Sequence, residues 1–184
     1  MAIRKILTEP NKILREKSLR VENVDQDIQK LMDDMLETLY AAPGIGLAAI
    51  QVGVAKRVIV MDISRDRNKD RDKNKEPKKN PLYLVNPEII WKSEDTFTYE
   101  EGCLSVPNQF AEIDRPKQCH VNHLDYNGNL QELKAEGLLA TCIQHEIDHL
   151  EGILFIDYLS KLKKEMIIKK LSKQTKDNIE RIVV

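Results

Sequence analysis

An α+β fold built on antiparallel sheet is predicted, because short β-branched and alternating runs follow one another while only three separated segments carry helical periodicity. The chain has 184 residues, 41% of them hydrophobic, which suits a single domain over residues 1–184 with a core of ordinary size. No linker or internal repeat divides it. A net charge of -1 gives no bulk field toward nucleic acid or an anionic membrane. The first residues lack a continuous apolar stretch of signal-peptide type, and no run is long enough to span a bilayer, so a cytoplasmic protein with no membrane contact is expected. Cys103, Cys119 and Cys142 are odd in number and far apart, which suits a reducing compartment better than a disulfide framework.

Taken in order, residues 24–41 space Val24, Ile28, Leu31, Met32, Met35, Leu36 and Leu39 as one face of an amphipathic helix ending before Pro43-Gly44. Residues 57–63 and 82–90 are β-branched apolar runs, the second holding a proline that suits an edge strand or a strand end. Between them, residues 64–81 contain no apolar residue but eight basic and four acidic ones, a solvated, mobile loop by composition, with electrostatic docking as its functional alternative. Strand signals return at residues 95–99 and 118–125. Tyr126-Asn127-Gly128-Asn129 then supplies a tight turn into residues 130–135, an antiparallel hairpin. Residues 138–150 form a helix apolar on nearly every side, hence an interior one, with Gly152 placed for a left-handed cap. Residues 160–181 form a last helix in which Leu162, Met166, Ile167 and Leu171 supply the apolar face and eight basic residues outnumber three acidic ones.

The strongest local signal is His145-Glu146-Ile147-Asp148-His149. Two histidines four residues apart on a helix lie about 40° apart around its axis and about 6 Å along it, so both imidazoles reach one metal ion. Glu146 projects beside that ion as a general base. The plain alternative is a pair of satisfied histidines in a buried helix, but unpaired polar groups are costly there. Cys142 is excluded as third ligand, because from it to His149 the helix rises about 10 Å. Cys103, beside Gly102 and just after a strand, is open to two readings: a buried inert thiol or a thiolate ligand. Gly44 and Gly46 serve either a plain turn or a close approach to an extended substrate. Gln51 by itself reads as a surface or strand-capping glutamine.

Three blocks, Gly44-Ile45-Gly46-Leu47-Ala48-Ala49-Ile50-Gln51, Glu101-Gly102-Cys103-Leu104-Ser105 and Gln144-His145-Glu146-Ile147-Asp148-His149, come in the order in which they stand in peptide deformylase, and the chain resembles that family from the first helix to the tail. The resemblance implies antiparallel sheets surrounding a central metal-binding helix. It implies Cys103, His145 and His149 as ligands of one divalent ion, most often Fe2+ with Zn2+, Ni2+ or Co2+ able to substitute, and Glu146 as the proton carrier. It assigns the side-chain amide of Gln51 and the backbone N–H of Leu104 to the oxyanion, and Gly44 and Gly46 to contact with the substrate backbone. The reaction implied is removal of the formyl group from the N-terminal methionine of nascent polypeptides. Ile45, Tyr99, Leu138 and Cys142 are candidates for the methionine pocket, each otherwise an ordinary core residue. A monomer is expected, with the basic last helix either a solvated face or a dock for the ribosome. Phe110, where arginine is common in familiar bacterial members, and the long charged loop depart from the pattern and bear on peripheral peptide recognition.

Two rivals stand beside this reading. A zinc endopeptidase would use the same helix with Glu165 or Glu180 as its carboxylate ligand, and a structural metal site would close with a fourth protein ligand; Cys119, His120 and His123 could be offered for it, but an alternating strand puts Cys119 and His123 on one face and His120 on the other, and they read as ordinary strand residues.

Overall fold

In the computed structural model, which describes residues 2–65 and 79–182, with the side chains of residues 65 and 174–182 left aside, helix α2 (Leu138–Leu150) lies between two antiparallel sheets. The larger sheet has the order β1-β2-β3-β6-β7, formed by Gly46–Ala48, Val58–Met61, Leu82–Lys92, Gln118–Leu124 and Leu130–Glu136. The smaller is the hairpin of β4 (Thr96–Cys103) and β5 (Val106–Pro116). Helix α2 touches both. The one face of the larger sheet packs Ile59, Met61, Leu84 and Val121 against Ala140, Ile143 and Leu150 of α2. Helix α1 (Gln26–Ala41) adds a second cluster, with Ile28, Met32, Met35 and Leu39 over Val58, Val60 and Val85.

Helix α1 starts two residues later than its periodicity suggested, because Asp25 caps it by accepting the N–H of Ile28 at 3.0 Å and leaves Val24 outside. The turn after β6 forms as predicted: Gly128 takes φ 81°, and Asp125 accepts the N–H groups of Asn127 and Asn129 at 2.9 Å each. Gly152 takes φ 74° beyond the end of α2, where a Cβ would come within 2.5 Å of the carbonyl oxygen of Arg15, so the cap also lets the N-terminal segment pass.

Two expectations are corrected and one strand is added. Strand β3 is an inner strand, paired with β2 and β6, although it carries Pro87. A register shift between Val85 and Glu88 absorbs the missing donor, with Asn86 at φ 52° and its side chain exchanging two 2.8 Å hydrogen bonds with the backbone of Val21. Strand β5 was not foreseen, since Val106 and Ile113 are its only buried apolar residues and no alternating apolar run announces it. Helix α3 (Lys161–Ile182) does not bury Leu162 and Met166, which are 69% and 63% exposed; Leu171, Ile167 and Ile168 pack instead on Val106 and Phe155. Leu162 lies about half a turn around the helix from Leu171, so the two cannot share a face.

The predicted charged loop falls largely on residues 66–78, outside the described residues. Its two ends are held by Asp62, wholly buried, which accepts the N–H of Ser64 at 3.0 Å, the N–H of Asn80 at 3.1 Å and the hydroxyl of Tyr40 at 2.9 Å.

Candidate metal centre

Helix α2 is apolar on so many sides that it buries its polar residues too, and His145, Glu146 and His149 are all in the interior. Cys103 reaches them from the end of β4, two residues past the buried Glu101 and so on the same inward face of the strand. The thiol, one nitrogen of His145 and one of His149 lie within 4.8 Å of one another, the only such donor group among the described residues. Cys103 Sγ is 3.2 Å from His149 Nε2, and the two rings stand 5.0 Å apart at 73°.

The donor set fits a divalent cation on its own chemistry. His145 Nδ1 contacts Glu101 Oε2 at 2.7 Å, which places the ring proton on Nδ1 and turns the Nε2 lone pair toward the thiol. Burial works against charge on His145, yet Cys103 and Glu101 outweigh it and hold its proton affinity well above the ordinary value. Surroundings that favour a proton there favour a metal cation in its stead. Burial and the neighbouring His145 push His149 well below its ordinary pKa, keeping it a neutral donor. Burial raises Glu146 to about 7, opposed by His145 and reinforced by Glu101. Its Oε2 is buried without a hydrogen-bond partner among the described residues.

A cleft of about 700 Å³ opens on this group, lined by Gly44, Ile45, Gly46, Gln51, Tyr99, Cys103, Leu104, Leu138, Cys142, His145 and Glu146, so every candidate except the donor His149 faces it. Gly46 is required by space: a Cβ there would collide with the Glu146 carboxylate and lie 2.9 Å from Cys142 Sγ. At Gly44 a Cβ would come within 2.8 Å of the Leu104 side chain. Cys142 stands outside the donor group, and burial with the charge of Glu146 pushes its thiol well up, so it remains a neutral pocket wall.

Gln51 is corrected from a surface residue to a buried one. Its Oε1 accepts the N–H of Ala48 at 2.8 Å, which fixes the amide, and its Nε2 donates to Ser105 Oγ at 3.0 Å and weakly to Cys103 Sγ at 3.5 Å. The capping half of the sequence reading holds, therefore, while the amide nitrogen points at the donor group.

Sequence reasoning missed the support behind the donor group. Arg115 of β5 binds Glu101 through Nε at 2.5 Å and Nη2 at 3.0 Å, and Asp148 through Nη1 at 2.8 Å; Tyr158 donates to Asp148 at 2.8 Å and lies under the guanidinium. Glu101 and Asp148 stand inside the quoted blocks, and a metal-binding histidine calls for a carboxylate on its other nitrogen, so Glu101 was within reach. Arg115 had no local signal. Among the described residues neither rival assembles: Glu165 is exposed on α3, and Cys119, His120 and His123 lie in β6 apart from the donors, while the side chain of Glu180 lies outside the described ones.

The family model described as Polypeptide deformylase matches residues 3–165. A peptide deformylase of Pelagibacter ubique is 67% identical over 173 residues, 94% of this chain and 95% of the relative, and one of Phenylobacterium zucineum is 57% identical over 176 residues, 96% and 99%. The crystal structure of peptide deformylase from Ehrlichia chaffeensis aligns with a TM-score of 0.85 at 46% identity, covering 95% of this chain and 97% of that one; a second structure of the Ehrlichia enzyme is a complex with actinonin. The match of family, of fold and of a Cys-His-His donor group at the foot of a cleft has one consequence: the chain belongs to the polypeptide deformylase family.

Proposed function

We propose that Cys103, His145 and His149 hold one ferrous ion and that Glu146 moves the proton in hydrolysis of the N-formyl group from formylmethionyl polypeptides, the reaction of the family to which the chain belongs. The observation that carries this reading is three donors within 4.8 Å of one another beside a buried carboxylate with an unpartnered oxygen, opening on a cleft. A thiolate with two imidazoles suits Fe2+, and equally Zn2+, Ni2+ or Co2+ as substitutes. Such an ion, when bound, acidifies a water molecule and polarises the formyl carbonyl.

The protein's own groups do the rest. Glu146, raised to about 7 and therefore able both to take and to return a proton near neutral pH, accepts one from the attacking water and delivers it to the leaving amine. Gln51, its amide oxygen anchored on Ala48, exchanges its weak 3.5 Å contact with sulfur for the oxygen that gains charge, and the N–H of Leu104 meets the same oxygen. Gly44 and Gly46 leave room for an extended peptide, while Ile45, Leu138, Cys142 and the ring of Tyr99 receive the methionine side chain.

The protein acts as a cytoplasmic monomer of one domain on nascent chains. Among the described residues no helix is long and apolar enough to cross a membrane. The basic residues of α3 suit contact with ribosomal RNA. Anaerobic purification, metal analysis and formate release from formyl-Met-Ala-Ser test the reading: one equivalent of iron and formate release support it. Release of internal peptides from casein without formate would refute it. Ribosome co-sedimentation unchanged when Lys163, Lys164, Lys169 and Lys170 become glutamate would remove the docking role from α3.

A further inference from the structure

The outer lip of the cleft carries a feature that the chemistry does not use. Strands β4 and β5 alternate their side chains, so the cross-strand pairs Thr98–Asp114, Glu100–Glu112 and Gly102–Phe110 share one face of the hairpin, while Glu101 and Arg115 pair on the other. Gly102 is the residue before the ligand Cys103. The Phe110 ring rests against it, 2.6 Å from where a Cβ would stand, and is nonetheless 66% exposed. Phe110, Gly102 and Glu100 all line the cleft.

Two carboxylates directly opposite each other destabilise a hairpin, and among the described residues neither Glu100 nor Glu112 has a cationic partner. An open aromatic face next to two unpaired carboxylates is the arrangement that receives a cation: the ring takes the aliphatic stem and the charge from above, and the carboxylates take the head. From these positions the geometry points to Phe110, with Glu100 and Glu112, as a specificity-determining subsite for a lysine or arginine side chain of the peptide downstream of the formylmethionine. The inference rests on the deformylase reading of the cleft and goes beyond it by naming the side-chain class the lip selects. An apolar side chain would be served by the ring alone and gains nothing from the carboxylates. An acidic one is repelled by them.

The test uses the metal-loaded full chain and formyl-Met peptides with Lys, Glu, Leu or Ser placed in turn at the second, third and fourth positions, reading kcat/KM from formate release. At one of those positions Lys exceeds Glu by about ten-fold in the wild type at low salt, expressed in KM, and the ratio shrinks as salt rises. The double substitution Glu100→Gln with Glu112→Gln brings the ratio at that position to within about two-fold, and Phe110→Arg reverses it in favour of Glu. Each ratio is taken within one variant, so a general loss of rate cancels. A Lys-to-Glu ratio near one at every position, a ratio unchanged in the double variant, or Leu above Lys in the wild type would overturn the subsite while leaving the deformylase reading standing. No formate from any peptide would overturn both.

Discussion

Replacing Glu101 by glutamine should separate the support of the metal centre from the centre itself. The amide keeps the volume of the side chain, so no cavity opens, and the change is almost purely one of charge. Glu101 is the carboxylate that joins Arg115, 4% exposed at its side chain, to His145 Nδ1. With Glu101→Gln the guanidinium keeps its charge pair only with Asp148, at 2.8 Å, and the single amide oxygen that remains cannot serve both Arg115 and His145 Nδ1 as the two carboxylate oxygens do. Removing one partner of a buried pair costs about 3 to 5 kcal/mol, and the surviving Asp148 contact puts this case near about 3. For a chain of this size that corresponds to a fall in Tm of about 6 to 12 °C. Loss of a carboxylate behind a metal-binding histidine typically weakens metal retention by about 10- to 100-fold. Thermal unfolding of the metal-free protein measures the first effect, and competition against a chelator measures the second. A Tm within about 2 °C of wild type together with unaltered metal affinity would show that Glu101 neither holds Arg115 nor orients His145.

His145→Ala should lose both metal and activity, whereas Glu146→Ala should keep near-stoichiometric metal and lose about 10²- to 10⁴-fold in kcat; near wild-type turnover in a metal-loaded Glu146→Ala preparation would refute the assigned proton transfer. Deleting residues 67–79 and closing the gap with a short glycine turn should leave metal binding and turnover of a short peptide nearly unchanged, because Asp62 still holds Ser64 and Asn80; a large fall in kcat would place that segment in the active site. Asp34 ties the N-terminal segment to α1. Burial works against its charge, but hydrogen bonds from Lys30, Arg4 and the N–H of Ala2 hold its pKa at about 2. Because that value is depressed in the folded state, the stability it contributes is present above about pH 4 and is lost as pH falls through about 2, so the difference in Tm between wild type and Asp34→Asn should shrink over that window. A difference as large at about pH 2 as at about pH 5 would count against the pairing.

The elements visible in the sequence are those whose signal is local. The helix of residues 138–150 announced itself by apolar residues on nearly every side, and the spacing of His145 and His149 within it set two donor side chains on one side of the helix by helix geometry alone. The cap at Asp25 and the turn at Gly128 depend on neighbours a few residues away, so the second was legible at once and the first only slightly misplaced. Leu162 and Met166 were assigned to the buried face of α3 because apolar character alone was counted; the angle to Leu171 exposes them. What only the tertiary structure decided are the long-range pairings. Nothing near Cys103 in the chain says that its thiol comes within 3.2 Å of His149 Nε2, 46 positions away; only the packing of the β4–β5 hairpin on α2 brings the two together. Gln51 looked like a surface residue until the turn after β1 buried it against Ser105, 54 positions away in the chain. Arg115 carries no pattern in its own neighbourhood, and its function as the link between Glu101 and Asp148 exists only when β4, β5 and α2 are packed together. Periodicity and spacing fix what a segment can be within a turn or two of helix, because those interactions are set by backbone geometry; which segments then meet depends on the balance of burial and polar satisfaction over the whole chain, which no local window contains.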